Sequence, residues 1–205
     1  MRAMSPDSMS SGSVKRKLRV LGVDPAVLGA TGYGVIELEG NEVRAMRFGA
    51  WKLPARMTFA VRLREIHFLL SGLVEQFSPD AVAVESVFTA LNVKTTLKLA
   101  EMRGVVLLAA AQSQIPALSY SPREVKASVA GFGGASKEQV QQMVRSILGL
   151  PDAPQPADAS DALAVALCHA YASRARDRMV AALGQRVRNI KPQPVRRAAR
   201  GAATN

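Results

Sequence analysis

Apolar residues recur along the chain in two periods, and the switches between them predict its elements. Leu18-Arg19-Val20-Leu21-Gly22-Val23 is a short, mostly aliphatic run that ends on Asp24. Runs of this kind, bounded by turn residues, read as buried strands. Strand signals follow at 33–38 and 43–51, set apart by turns at Ala30-Thr31-Gly32 and Glu39-Gly40-Asn41. Connections this short make a three-strand antiparallel meander. The period then changes: Phe59, Leu63, Ile66, Leu70, Leu73 and Phe77 fall three or four residues apart. That spacing predicts a helix over 58–77, stopped by Ser78-Pro79-Asp80.

Ala81-Val82-Ala83-Val84 is a second buried run and ends on Glu85. A long helix over about 94–114 comes next, then a fifth strand from Ile115 to Tyr120. Ser121-Pro122 opens another helix, with proline at a favourable first position, and Gly131-Phe132-Gly133-Gly134 breaks it. Ser136 with Gln139 forms a capping box for a helix over 137–148. Pro151, Pro154 and Pro156 stiffen the approach to a final helix, roughly 157–174. The order predicts an α/β domain built on a mixed five-stranded sheet flanked by helices.

Composition sets the limits of that domain. With 48% hydrophobic and 21% charged residues, a chain of 205 can bury a sizeable core and is no disordered polymer. No apolar stretch reaches the roughly 18 residues of a membrane span. A single cysteine, Cys168, excludes an intramolecular disulfide and fits a reducing cytoplasm; its place on an apolar helix face makes it a packed thiol. The net charge of +11 lies in the ends. Residues 1–19 carry +4 and 174–205 carry +8, while 20–173 carry −1. The chain therefore divides into a flexible basic tail at 1–17, a domain at 18–174 and a basic tail at 175–205 expected to be disordered. Polybasic arms attract a polyanion, and nucleic acid is the one that best fits.

Four carboxylates give the domain its chemistry. An acid at the last position of a buried strand cannot stay in the core unpaired, so Asp24 and Glu85 must emerge at strand ends. Neighbouring strand ends bring such acids together, where each raises the other's pKa unless a cation holds them. Asp158 and Asp161, in Ala-Asp-Ala-Ser-Asp-Ala-Leu-Ala at 157–164, lie three apart and project from one helix face. Alone, that pair would be explained as first-turn charges complementing the helix dipole, and Asp24 as a turn former before Pro25. Glu85, ending four apolar residues, has no such simple account. Oxygen-only ligands point to Mg²⁺ or Mn²⁺ rather than zinc.

Leu-Gly-Val-Asp-Pro at 21–25, Thr31 to Ile36, Val-Glu-Ser-Val-Phe at 84–88 and the 157–164 segment together resemble the RuvC family of Holliday-junction resolvases. The resemblance runs from about 18 to 173 and departs at Ala26, where the family usually has glycine. It implies a ribonuclease H-like fold and a catalytic, metal-binding tetrad of Asp24, Glu85, Asp158 and Asp161. Two ions clamping one scissile phosphate, and a homodimer nicking opposed strands of a four-way DNA junction, are implied with it. The same resemblance places Phe88 as an aromatic that stacks on an unpaired base, and Lys126 and Lys137 as phosphate contacts. Arg123 is a further candidate of that kind without a family position. The RuvA–RuvB branch-migration complex is the implied partner. Two other classes compete: an actin-like phosphotransferase, for which the chain is too short, and a junction-binding module that does not cut. Four acids repel DNA unless metal neutralises them, which disfavours the second.

Overall fold

β1 (Lys17–Asp24) is the strand around which the rest is laid. β2 (Ala30–Glu39) pairs with it antiparallel, Asp24 opposite Gly32, and β3 (Glu42–Lys52) completes the meander along β2. On its other side β1 takes β4 (Ala81–Glu85) in parallel, and β5 (Ala117–Tyr120) runs parallel to β4. The order β3-β2-β1-β4-β5 is the mixed five-stranded sheet expected for a ribonuclease H-like domain. The computed structural model describes residues 17–27, 29–86 and 92–188.

The central strands are buried on both faces, as their near-continuous apolar runs require. Successive side chains of a strand point to opposite faces. Val20 thus joins Ile36 and Ala83 beneath the helices α3 (Pro122–Ala130), α4 (Lys137–Ile147) and α5 (Ala157–Arg188), whose Val125, Val144 and Leu163 close that layer. Leu21 and Val23 instead join Val35, Val82 and Val84 against α1 (Phe59–Phe77) and α2 (Val93–Gln112), through Ile66, Leu70, Met102 and Val106. Both short helices of the first layer start from capping boxes, Ser121 with Glu124 and Ser136 with Gln139.

Two expectations need correction. Ala30, Thr31 and Gly32 belong to β2 rather than to a turn; the reversal falls before them, where Gly29 adopts φ +107°. Thr31 is buried and Gly32 pairs with Asp24, so the ladder captures residues whose types suggested a loop. The last helix does not stop near 174 but continues to Arg188, so residues 175–188 are helical, not disordered. The segment is rich in Ala and Arg, strong helix formers, with no proline before Pro192. The chain divides into two compact units, Met1–Tyr171 and Ala172–Asn205, and the sheet lies wholly in the first. Among the described residues no helix is long and apolar enough to cross a membrane.

The first turns of α5 lie almost in contact with the sheet backbone. A Cβ on Gly22 would stand 2.1 Å from the Ala162 carbonyl oxygen, and one on Gly32 would stand 1.9 Å from that of Asp158. Neither distance is tolerable, and neither obstacle is a flexible side chain. Gly22→Ala should therefore destabilise the protein by about 1–3 kcal/mol through overpacking. Gly72→Ala, on an open face of α1 with nothing within 4 Å, should be neutral or stabilising. Urea unfolding of both variants checks the contrast; equal effects would mean that α5 can lift off freely.

Candidate active site

Parallel pairing of β1 and β4 sets Val23 beside Val84, so the next residues, Asp24 and Glu85, emerge together at the same end of the sheet. Their side chains hydrogen-bond to each other. Two carboxyls can do so only if one carries a proton, and the surroundings favour Asp24 as the holder. Burial, then the charges of Glu85 and Asp161, push the Asp24 carboxyl from 3.8 up to about 8. Burial and Asp161 also raise Glu85, but the hydrogen bond from Asp24 and the charges of Lys137 and Lys126 oppose that rise.

The second pair of acids arrives from α5. Gly32, the β2 partner of Asp24, lies under the backbone of Asp158, which fixes the start of the helix over the end of β1. One turn further on, Asp161 receives the Lys137 ammonium at 2.6 Å. Lys137 is the first residue of α4, aligned by the Ser136 cap, and this contact raises its pKa. Lys126 comes from α3. Glu85, Asp161, Lys126 and Lys137 together line a cleft of about 200 Å³ floored by Val125, Val140 and Ala164. The Asp158 charge is felt at Asp24 and at Lys137, although Asp158 does not line that cleft.

The loop after Asp24 tolerates Ala26. Its backbone keeps φ negative, its N–H donates to Thr31 Oγ1 at 3.4 Å, and the left-handed position is taken by Gly29. Arg123 is exposed on the first turn of α3, outside the cleft, with its side chain against Gly133. Phe88 lies outside the described residues. His169 is buried further along α5, its Nδ1 2.8 Å from the Tyr120 hydroxyl. His67 meets Gln112 Oε1 at 2.6 Å at the surface, between α1 and α2. Cys168 is buried and its thiol pKa is raised by that burial, as expected of a packed thiol. The positioning glycines Gly22 and Gly32 were not singled out by the sequence. Their signal was the match between small strand residues and Ala159, Ala162 and Ala166 of the helix.

The donor set suits a hard divalent cation: carboxylate oxygens alone, crowded enough that burial and mutual repulsion raise the pKa of both Asp24 and Glu85. Among the described residues no three such side chains already close into a cage, and Asp161 is engaged by Lys137. The acids are gathered, and loading a cation would exchange it for the shared proton.

A pH dependence follows. Folding raises the Asp24 carboxyl above its unfolded value, so between about pH 4 and pH 8 the folded chain holds a proton that the unfolded chain has lost. This contribution to stability is complete below pH 4 and is lost as the pH climbs through 8. In EDTA at pH 8, Asp24→Asn should therefore melt at least about 2 °C above the parent, with the difference shrinking at pH 5. A variant that melts lower at pH 8 would mean that the ionised carboxylate is stabilised by its neighbours.

Comparison with known proteins gives a consistent result. The sequence model described as "Crossover junction endodeoxyribonuclease RuvC" matches residues 20–169. A protein of that name from Syntrophomonas wolfei is 46% identical over 157 residues, covering 77% of this chain and 91% of the relative. The solved RuvC of Thermus thermophilus superimposes with a TM-score of 0.71 at 37% identity, covering 77% of this chain and 96% of that one. Its complex with a Holliday junction substrate gives 0.70 at 35% identity with the same coverage.

Proposed function

The chain belongs to the RuvC family of crossover junction endodeoxyribonucleases, and from that premise we propose that it resolves four-way (Holliday) DNA junctions by paired symmetric nicks in recombination and repair. The observation that carries this reading is the convergence of two strand-end acids, Asp24 and Glu85, with Asp158 and Asp161 at the start of a helix packed against the same sheet end. Solution of the T. thermophilus relative bound to a Holliday junction supports the choice of substrate.

Asp24, Glu85, Asp158 and Asp161 would hold two Mg²⁺ or Mn²⁺ ions. The chemistry supplied by such ions would be activation of a water to attack the scissile phosphate and stabilisation of the departing 3′ oxygen. Asp24 and Glu85 would hold the ions from the sheet, and Asp158 and Asp161 from the first turns of α5. Lys137 and Lys126 flank the cleft, where their charges attract the phosphate that the acids alone would repel. The Lys137 ammonium, resting on Asp161, has an anionic partner in either state: the carboxylate before loading and the phosphate after. Phe88, three residues beyond Glu85, is assigned to stacking on an unpaired base at the crossover. The products carry 5′-phosphate and 3′-hydroxyl ends, which a ligase can seal.

Two nicks on opposed strands call for two copies of the site. Leu97, Gly104, Leu108 and Ala111 form an exposed stripe of small and aliphatic residues along α2, suited to a two-fold homodimer face. The setting is the cytoplasm, beside the RuvA–RuvB branch-migration complex.

Asp24→Asn, Glu85→Gln, Asp158→Asn and Asp161→Asn should each abolish junction cleavage in Mg²⁺ or Mn²⁺ while junction binding persists or tightens. Gel-shift and cleavage assays on one labelled junction read both quantities. Loss of binding and cleavage together in all four would contradict the assignment. Removal of residues 185–205, which hold six of the basic side chains, should weaken junction binding and flatten the dependence of log K on log salt. An unchanged slope would show that this segment makes no phosphate contact.

A further inference from the structure

Phe132 is a large apolar side chain that the proposed mechanism leaves without a role. It occupies the turn between α3 and α4 and remains 51% exposed, although Val129 before it and Ala135 and Val140 after it are all buried. A single exposed apolar residue is ordinary; the placement of this one is not. The turn joins the two helices that deliver Lys126 and Lys137 to the cleft. It also folds back along α3: a Cβ on Gly133 would stand 2.6 Å from Arg123 Cγ, in the first turn of that helix. The turn thus lies beside the end of α3 at which Pro122 lines the cleft. Residues 131, 133 and 134 are glycine, with Gly131 in the left-handed region at φ +87°, so no neighbouring side chain in the turn covers the ring. Arg123 and Lys126 stand three apart, on one face of α3.

An exposed ring one residue from the backbone that packs on the Arg123 side chain, in the turn between the helices that carry Lys126 and Lys137, has the composition of a base-stacking platform on a nucleic acid. In an intact duplex every base face is already stacked, so such a ring finds a partner only where a base is unpaired. We propose that Phe132 stacks on an unpaired nucleobase beside the cleft, with Arg123 on the adjoining phosphate, and so contributes to the preference for branched over linear DNA. This inference rests on the reading of the chain as a junction endonuclease.

The test measures binding of the full-length protein to a four-way junction and to a linear duplex of matched sequence at fixed salt, in EDTA. The parent is compared with Phe132→Ala, Phe132→Leu and Phe132→Trp, and melting temperatures confirm that each variant folds. Phe132→Ala and Phe132→Leu should bind the junction roughly 5- to 100-fold more weakly, with duplex binding unchanged, and Phe132→Trp should retain parental affinity. Parental junction binding by Phe132→Ala overturns the inference, as does parental binding by Phe132→Leu, which would show that any apolar side chain suffices. A fall in oligomeric mass in Phe132→Ala also overturns it, because the ring would then pack against a second copy. If the parent cuts junctions in Mg²⁺ while Phe132→Ala binds them normally, only this inference fails. A parent that does not cut them removes the underlying reading, and this inference with it.

Discussion

Everything at the acidic end of the molecule depends on how closely α5 can approach the sheet. Gly22 and Gly32 present bare backbone to Ala162 and Asp158, and the helix settles at a distance that any side chain on those strands would forbid. The position of Asp158 over β2, and of Asp161 one turn beyond it, follows from that contact. So does the field that both exert on Asp24. Four carboxyl groups crowded into one place oppose folding, and the assembly persists because the sheet beneath is covered on both faces by apolar layers. Stability is generated in the body of the sheet, and part of it is given up at one end of β1 to keep the acids together.

The two ends of the sheet treat a carboxylate in opposite ways. Glu37 on β2 is almost fully enclosed, yet Arg19, Arg44 and Lys17 surround it, and the Arg19 and Arg44 hydrogen bonds hold its carboxyl below the usual range. Arg19 bonds it at 2.8 Å. The Glu37 charge is thus compensated within the chain, and the cluster ties β1, β2 and β3 together. At the far end the charges that weigh most on Asp24 are those of other acids, and Lys137 is hydrogen-bonded to Asp161. One arrangement is electrostatically complete within the chain, whereas the other calls for charge from outside it. The cation and the DNA phosphate of the proposed reaction supply charge of the two signs that the acids and the lysines of the cleft require.

Much of this was legible in the sequence, for definable reasons. An apolar strand that ends on an acid carries its own explanation, so Asp24 and Glu85 stood out without any fold. Capping chemistry fixed the starts of α3 and α4. Three features escaped because they depend on distant partners. Ala30-Thr31-Gly32 has the residue types of a turn, and only pairing with β1 and β3 shows it as strand. The contact of Lys137 with Asp161 joins residues 24 apart, on two helices whose relative setting no local pattern encodes. The extension of α5 to Arg188 was hidden by its charge, which suggested an arm although the residues themselves favour helix.

The central claim is that the gathered acids make a metal-dependent cutter of branched DNA, and one comparison tests it most directly. A synthetic four-way junction and a linear duplex of matched sequence are incubated with the full-length protein in Mg²⁺, Mn²⁺ or EDTA, and the products are mapped to the nucleotide. The account predicts paired nicks placed symmetrically about the crossover, with ligatable ends, in the presence of a divalent ion and none in EDTA. Equal cutting of both substrates, or tight junction binding with no cutting in either metal, would contradict it.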